Sequence, residues 1–97
     1  MLASKIDSEV FELPNEMRMV YLNRRIEELN KFKTMNDAEK LVFAQYIGHK
    51  IAGSAQSYGY LDLEPIAREM EKLKSTEIDK CRRLIDSFKE CLTRIQR

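Results

Sequence analysis

Apolar residues recur every three or four positions along almost the whole chain, and polar residues fill the intervals. Met19, Leu22, Ile26, Leu29 and Phe32 form one stripe, with Arg24, Arg25, Glu27 and Glu28 opposite, which predicts an amphipathic helix from about Pro14 to Lys33. Pro14 suits its first turn, where the missing N–H has no partner to lose. Leu41, Ala44, Ile47, Ile51, Ala55 and Tyr58 predict a helix over about 37–58. Asn36 followed by Glu39 opens it as a capping box, and Gly59 stands where a left-handed residue ends it. Leu63, Ile66, Ala67, Met70 and Leu73 predict the next helix, with Pro65 in its first turn. Thr76 and Asp79 make another capping pair ahead of a last helix carrying Ile78, Cys81, Leu84, Ile85, Phe88, Leu92 and Ile95. Residues 2–13 place Ile6, Val10, Phe11 and Leu13 at helical spacing and predict a short covering helix.

Four long amphipathic helices with short connections bury their stripes most simply as an antiparallel up-down-up-down four-helix bundle. The fold class is therefore all-α, one domain over residues 1–97, with the N-terminal helix as a lid. Composition narrows the function classes. Three Gly and two Pro leave little turn chemistry for a β fold. Seventeen basic and 16 acidic residues are interspersed for a net charge of +1, which gives no footprint for nucleic acid. A protein partner or a small ligand fits better. No apolar run approaches the ~18 residues of a membrane span. Cys81 and Cys91 lie ten apart in one helix and cannot meet there, and no signal-peptide core precedes them. That pattern predicts free thiols in a reducing, cytoplasmic setting, and one His with two Cys lacks the spacing of a zinc site. The starting Met and complete bundle lead to the expectation of a free-standing protein, with a piece of a longer protein as the alternative, and a bundle that buries its own core leads to the expectation of a monomer.

The candidate chemistry sits in one stretch, His49-Lys50-Ile51-Ala52-Gly53-Ser54-Ala55-Gln56-Ser57-Tyr58-Gly59-Tyr60, which holds the sole histidine. At ~100° per residue, Ile47, Ile51 and Tyr58 lie roughly 160–200° from His49, so the imidazole points away from the core. Within roughly 60° of it lie Val42, Gln45, Tyr46, Ala52, Gly53 and Gln56. That face carries no formal charge and turns small-sided after the histidine. Gly53 bares the surface one turn on, at the ~1 kcal/mol that glycine costs inside a helix. Gly48, nearer the side of the helix, permits a close helix–helix approach. A solvent-exposed imidazole is nucleophilic near neutral pH without a general base. No second histidine and no carboxylate on the face completes a hydrolytic dyad, so a phosphoryl group is the cargo that fits. Ser54 and Ser57 read as structural hydrogen-bonders.

These residues resemble the histidine-containing phosphotransfer (HPt) domain family. The match is His49, Ile51 two later, Gly53 four later followed by Ser54-Ala55, and then Tyr58-Gly59-Tyr60. Leu63, Ile66-Ala67 and Met70-Glu71 are similar to the family's next helix, and Tyr21-Leu22-Asn23-Arg24-Arg25 to its preceding one. The resemblance implies a bundle whose exposed His49 reversibly accepts a phosphoryl group from a receiver-domain aspartate. It implies no ATP site and no cofactor of its own, with magnesium supplied by the receiver. Its implied partners are a response regulator receiver domain, a hybrid histidine kinase, or both. Gly53 corresponds to the glycine that leaves room for the phosphoryl group and the receiver loops. Val42, Tyr46 and Ala52 complete the implied docking face. Many family members carry Lys three residues after the His, where this chain has Ala52. Lys50, Gln45 and Gln56 are the candidates around the imidazole and phosphoryl group, with plain surface lysine an equal alternative for Lys50. Arg68 is better explained by pairing with Glu64 or Glu71. The alternative function is a non-phosphorylated docking module that binds or inhibits a kinase or response regulator, which the Ala52 departure keeps open.

Overall fold

The structure, a computed structural model, describes residues 14–96, and the expected covering helix over 2–13 lies outside the described residues. Four helices run in order: α1 (Asn15–Lys31), α2 (Asp37–Ala52), α3 (Leu63–Glu71) and α4 (Ile78–Gln96), with no strand among the described residues. Glu28 of α1 meets Lys50 of α2, and Tyr21 meets Ser54 just beyond α2, so these helices are antiparallel. Gly48 of α2 lies against Ala67, Met70 and Glu71 of α3, while Gln45 reaches the Leu73 carbonyl beyond it. Asp37 and Arg82 join the starts of α2 and α4, which run in the same direction. Leu29 and Phe32 share a cleft with Ile85 and Lys89, and Met19 and Leu22 share another with Ile95. The order is up-down-up-down, as the pattern predicts.

The core takes Leu22 and Phe32 from α1 and its 3₁₀ end, Leu41, Ala44, Ile47 and Ile51 from α2, and Leu63, Ala67 and Met70 from α3. Cys81, Phe88, Cys91 and Leu92 of α4 close it. The capping box at the start of α2 forms as expected, with Glu39 N–H donating to Asn36 Oδ1 and Asn36 N–H to Glu39 Oε1, both at 2.9 Å.

Four expectations need correction. Met19 is 55% exposed instead of core, because it sits where α4 is ending and only Ile95 and Gln96 of that helix share its cleft. Arg25 and Glu28, expected on the solvent side, are 3% and 7% exposed. Arg25 Nε and Nη2 donate to the two Glu28 oxygens at 2.7 and 3.0 Å, and the guanidinium stacks 4.4 Å over the Tyr21 ring. A bidentate, charge-neutral pair can be buried where an isolated charge cannot. The helix expected to reach residue 58 stops at Ala52. Ser54 Oγ donates to the Lys50 carbonyl at 2.9 Å and lies 2.7 Å from Tyr21 Oη, and Tyr58 stacks on Tyr21 at 4.1 Å between centroids. These contacts draw Gly53–Tyr58 onto α1 as a turn and a 3₁₀ segment, and Gly59 ends it at φ 83°. The connection before α4 is tied by Lys74 N–H donating to Glu77 Oε1 at 2.8 Å, not by the expected Thr76 cap.

Cys81 and Cys91 are free and buried, and burial pushes both thiols up from their ordinary value of 9.0. The native state thus holds the thiol protons more tightly than the unfolded chain does. Stability is unaffected by these groups below the ordinary thiol range and falls as pH rises through it toward the raised native values. Native protein is expected to react slowly with an aromatic disulfide reagent at pH 8 and rapidly in urea; equal rates would show that the thiols are not core residues.

Candidate functional site

The phase of α2 that buries Ile47 and Ile51 turns the His49 side chain outward, where it is 79% exposed. The ring is nevertheless held. Glu71, in the last turn of α3, places Oε2 2.5 Å from His49 Nδ1. The absence of a side chain at Gly48 makes this possible. A Cβ there would fall 2.6 Å from the Glu71 backbone nitrogen, 2.7 Å from the Ala67 carbonyl oxygen and 2.9 Å from Met70 Cβ. α3 therefore packs its backbone directly on α2 at Gly48, and Glu71, one of the residues in that contact, pairs with His49, the residue after Gly48.

Along α2 itself the histidine face carries no carboxylate, as expected. The carboxylate comes from the next helix. The signal that would have found it is Gly48: a glycine inside a helix marks where another backbone comes close, and the antiparallel return of α3 puts its last turn there.

The other candidates divide. Val42 and Tyr46 are 66% and 58% exposed and line a shallow apolar depression with Ala38 and Phe43, on α2 ahead of His49. Gly53 is exposed, and a Cβ there would meet only the His49 and Lys50 carbonyls, at 3.7 and 3.8 Å. It is the first residue past α2, so the helix-interior cost assigned from sequence does not apply to it. Ala52 is half-buried against the core, and Gln56 is exposed in the 3₁₀ segment. Gln45 turns to the α3–α4 connection, donating from Nε2 to the Leu73 carbonyl at 2.6 Å. Lys50 turns toward α1, its Nζ 3.1 Å from Glu28 Oε2 and 5.3 Å from the Tyr46 ring centre. Ser57 is exposed, and Arg68 pairs with Glu64.

A carboxylate on Nδ1 favours the tautomer whose proton is on Nδ1, which leaves the lone pair on Nε2. The site is thus an oriented, solvent-facing nucleophile beside an apolar surface. Among the described residues no cluster of three or more His, Cys, Asp or Glu side chains could hold a metal ion, and no helix is long and apolar enough to cross a membrane.

A family model for the Hpt domain matches residues 16–97. No curated protein and no solved structure matches the chain.

Proposed function

The chain belongs to the Hpt domain family, whose members are phosphocarriers in phosphorelays, and on that premise we propose that His49 is its phosphoacceptor. The observation that carries this reading is the pairing of an exposed imidazole with Glu71 at Nδ1. The donor is a receiver-domain aspartyl phosphate. His49 Nε2 attacks phosphorus in line, the Nε2–P bond forms, and the P–O bond to the acyl group breaks to release the aspartate carboxylate. The imidazole keeps its Nδ1 proton throughout and becomes a phosphoimidazolium, whose positive charge develops against the Glu71 carboxylate. Transfer onward is the reverse, with the protonated imidazole as leaving group. Proximity and electrostatics supply the acceleration.

Val42, Tyr46 and Gly53 form the surface on which the receiver sits in this reading. Glu71 alone does not make a magnesium site, so the ion that neutralises the transferring phosphoryl group stays with the receiver. The same partner chemistry extends to a hybrid histidine kinase carrying a receiver, and the setting is the cytoplasm. Lys50 is engaged by Glu28 and has no phosphate-neutralising role in this reading.

Two substitutions test the parts. Glu71→Ala is expected to slow transfer roughly tenfold to a hundredfold, the equivalent of one charge-assisted hydrogen bond, with Glu71→Gln restoring part of the rate through its amide oxygen. A wild-type rate in Glu71→Ala would remove Glu71 from the account. Gly53→Glu has open space for its side chain and is expected to fold normally while blocking the receiver by bulk and charge. Unchanged transfer kinetics in that variant would show that the receiver docks elsewhere. Should a panel of phosphorylated receivers bind the wild type without labelling it, the protein is a docking module and not a carrier.

A further inference from the structure

Tyr21, Arg25 and Glu28 recur at helical spacing and share one face of α1. All three are buried, at 7%, 3% and 7% exposure. Burial alone does not call for charge here, since apolar residues of similar size in place of a buried ion pair are often neutral or stabilising. The three side chains grip one residue of α2 from two sides. Lys50 Nζ donates to Glu28 Oε2 at 3.1 Å, and Arg25 holds Glu28 in place through both carboxylate oxygens. On the other side Ser54 Oγ donates to the Lys50 carbonyl at 2.9 Å, which makes the Tyr21 hydroxyl, 2.7 Å from Ser54 Oγ, the donor to the serine. The Arg25 guanidinium, 4.4 Å from the centre of the Tyr21 ring, joins the two arms.

Lys50 follows His49 and Ser54 follows Gly53, so both arms end on the surface proposed for the receiver. One holds the Lys50 ammonium 5.3 Å from the centre of the Tyr46 ring. The other fixes the turn that begins at Gly53. We infer that Tyr21, Arg25 and Glu28 are positioning residues for receiver docking, a polar strut on α1 that preorganises the last turn of α2 and the turn after it. The role rests on the reading of His49 as a carrier that exchanges its phosphoryl group with a receiver. A surface already held in its bound shape loses less freedom when the partner arrives, so the strut acts on affinity for the receiver. The imidazole is oriented by Glu71 from α3 instead, which leaves the chemical step outside the reach of the strut.

The test compares two donors on the full chain. One is a phosphorylated receiver domain, taken as the member of a panel that labels the wild type fastest; the other is phosphoramidate, a small donor that needs no docking surface. The double variant Arg25→Met, Glu28→Leu removes the charges while filling their space, and its thermal midpoint is expected to equal or exceed that of the wild type. Its KM for the receiver is expected to rise about fivefold, with kcat and the phosphoramidate rate within about twofold of wild type. Tyr21→Phe keeps the ring and is expected to raise KM about threefold, and adding Ser54→Ala to it brings no further loss, as for two ends of one hydrogen bond. An unchanged KM in either the folded double variant or Tyr21→Phe would make the cluster a packing feature and overturn the role. An equal fall in the phosphoramidate rate would overturn it too, by placing the effect on His49 itself. If the double variant does not fold, Tyr21→Phe decides alone. A wild-type chain labelled by phosphoramidate but by no receiver would remove the carrier reading, and the strut's role with it; transfer with unaltered KM in the variants would remove the strut's role alone.

Discussion

Replacement of His49 by Gln is expected to abolish phosphoryl acceptance, a loss of at least about a thousandfold, with the bundle intact. Glutamine approximates the size of imidazole and keeps a polar tip that can face Glu71, but its amide nitrogen has no available lone pair for phosphorus. His49 contributes little to the core, since its side chain is 79% exposed, and truncating or replacing such a residue rarely changes stability beyond about 0.5 kcal/mol. Far-UV circular dichroism and thermal midpoint should therefore match wild type while labelling disappears. Residual labelling at a rate near wild type would place the acceptor elsewhere, and the exposed serines would have to be reconsidered.

Gly48→Val carries the largest expected effect on stability. The added Cβ would sit 2.6 Å from one backbone atom of α3 and 2.7 Å from another, and neither can move without displacing the helix. Overpacking of this kind costs about 3 kcal/mol, which for a domain of this size lowers the thermal midpoint by on the order of 15 °C. The same displacement separates Glu71 from His49, so transfer should slow as well. Glu71→Ala shares the second effect and not the first, because its carboxylate lies near the surface. The pair of variants thereby separates the packing role of Gly48 from the orienting role of Glu71. A Gly48→Val protein with an unchanged midpoint would mean that α2 and α3 are not in backbone contact.

How much of this could be read from the chain follows from what a hydrophobic pattern records. The stripes of α2, α3 and α4 were legible because their buried positions are almost all apolar, and so was the outward phase of His49, which is opposite Ile47 and Ile51 by geometry alone. In α1 the pattern misled. Arg25 and Glu28 neutralise each other and bury as a pair, which hydropathy cannot register, and Met19 has the right phase but lies where its neighbouring helix runs out. The end of α2 was misplaced for a related reason: Ala55 and Tyr58 keep the helical spacing, yet Ser54 and Tyr58 are drawn to Tyr21, a contact 33 residues distant for the serine.

The site was half legible. His49 and the open surface at Gly53 follow from local spacing. Glu71 does not, because it lies 22 residues from the histidine and joins it only through the packing of α3 at Gly48. Lys50 shows the converse: adjacent to His49 in sequence, it is turned away by Glu28, a residue the pattern had assigned to solvent. Both arise at long-range polar contacts, where a single sequence carries the residues but not their pairing.

The most direct test of the central claim is transfer from a phosphorylated receiver domain to the wild-type chain, with the product examined by ³¹P NMR and by acid and base treatment. The predicted product is a single phosphohistidine, acid-labile and base-stable, with phosphorus on Nε2 of His49. Phosphorus on Nδ1, on a serine, or on no residue of the chain would contradict the account.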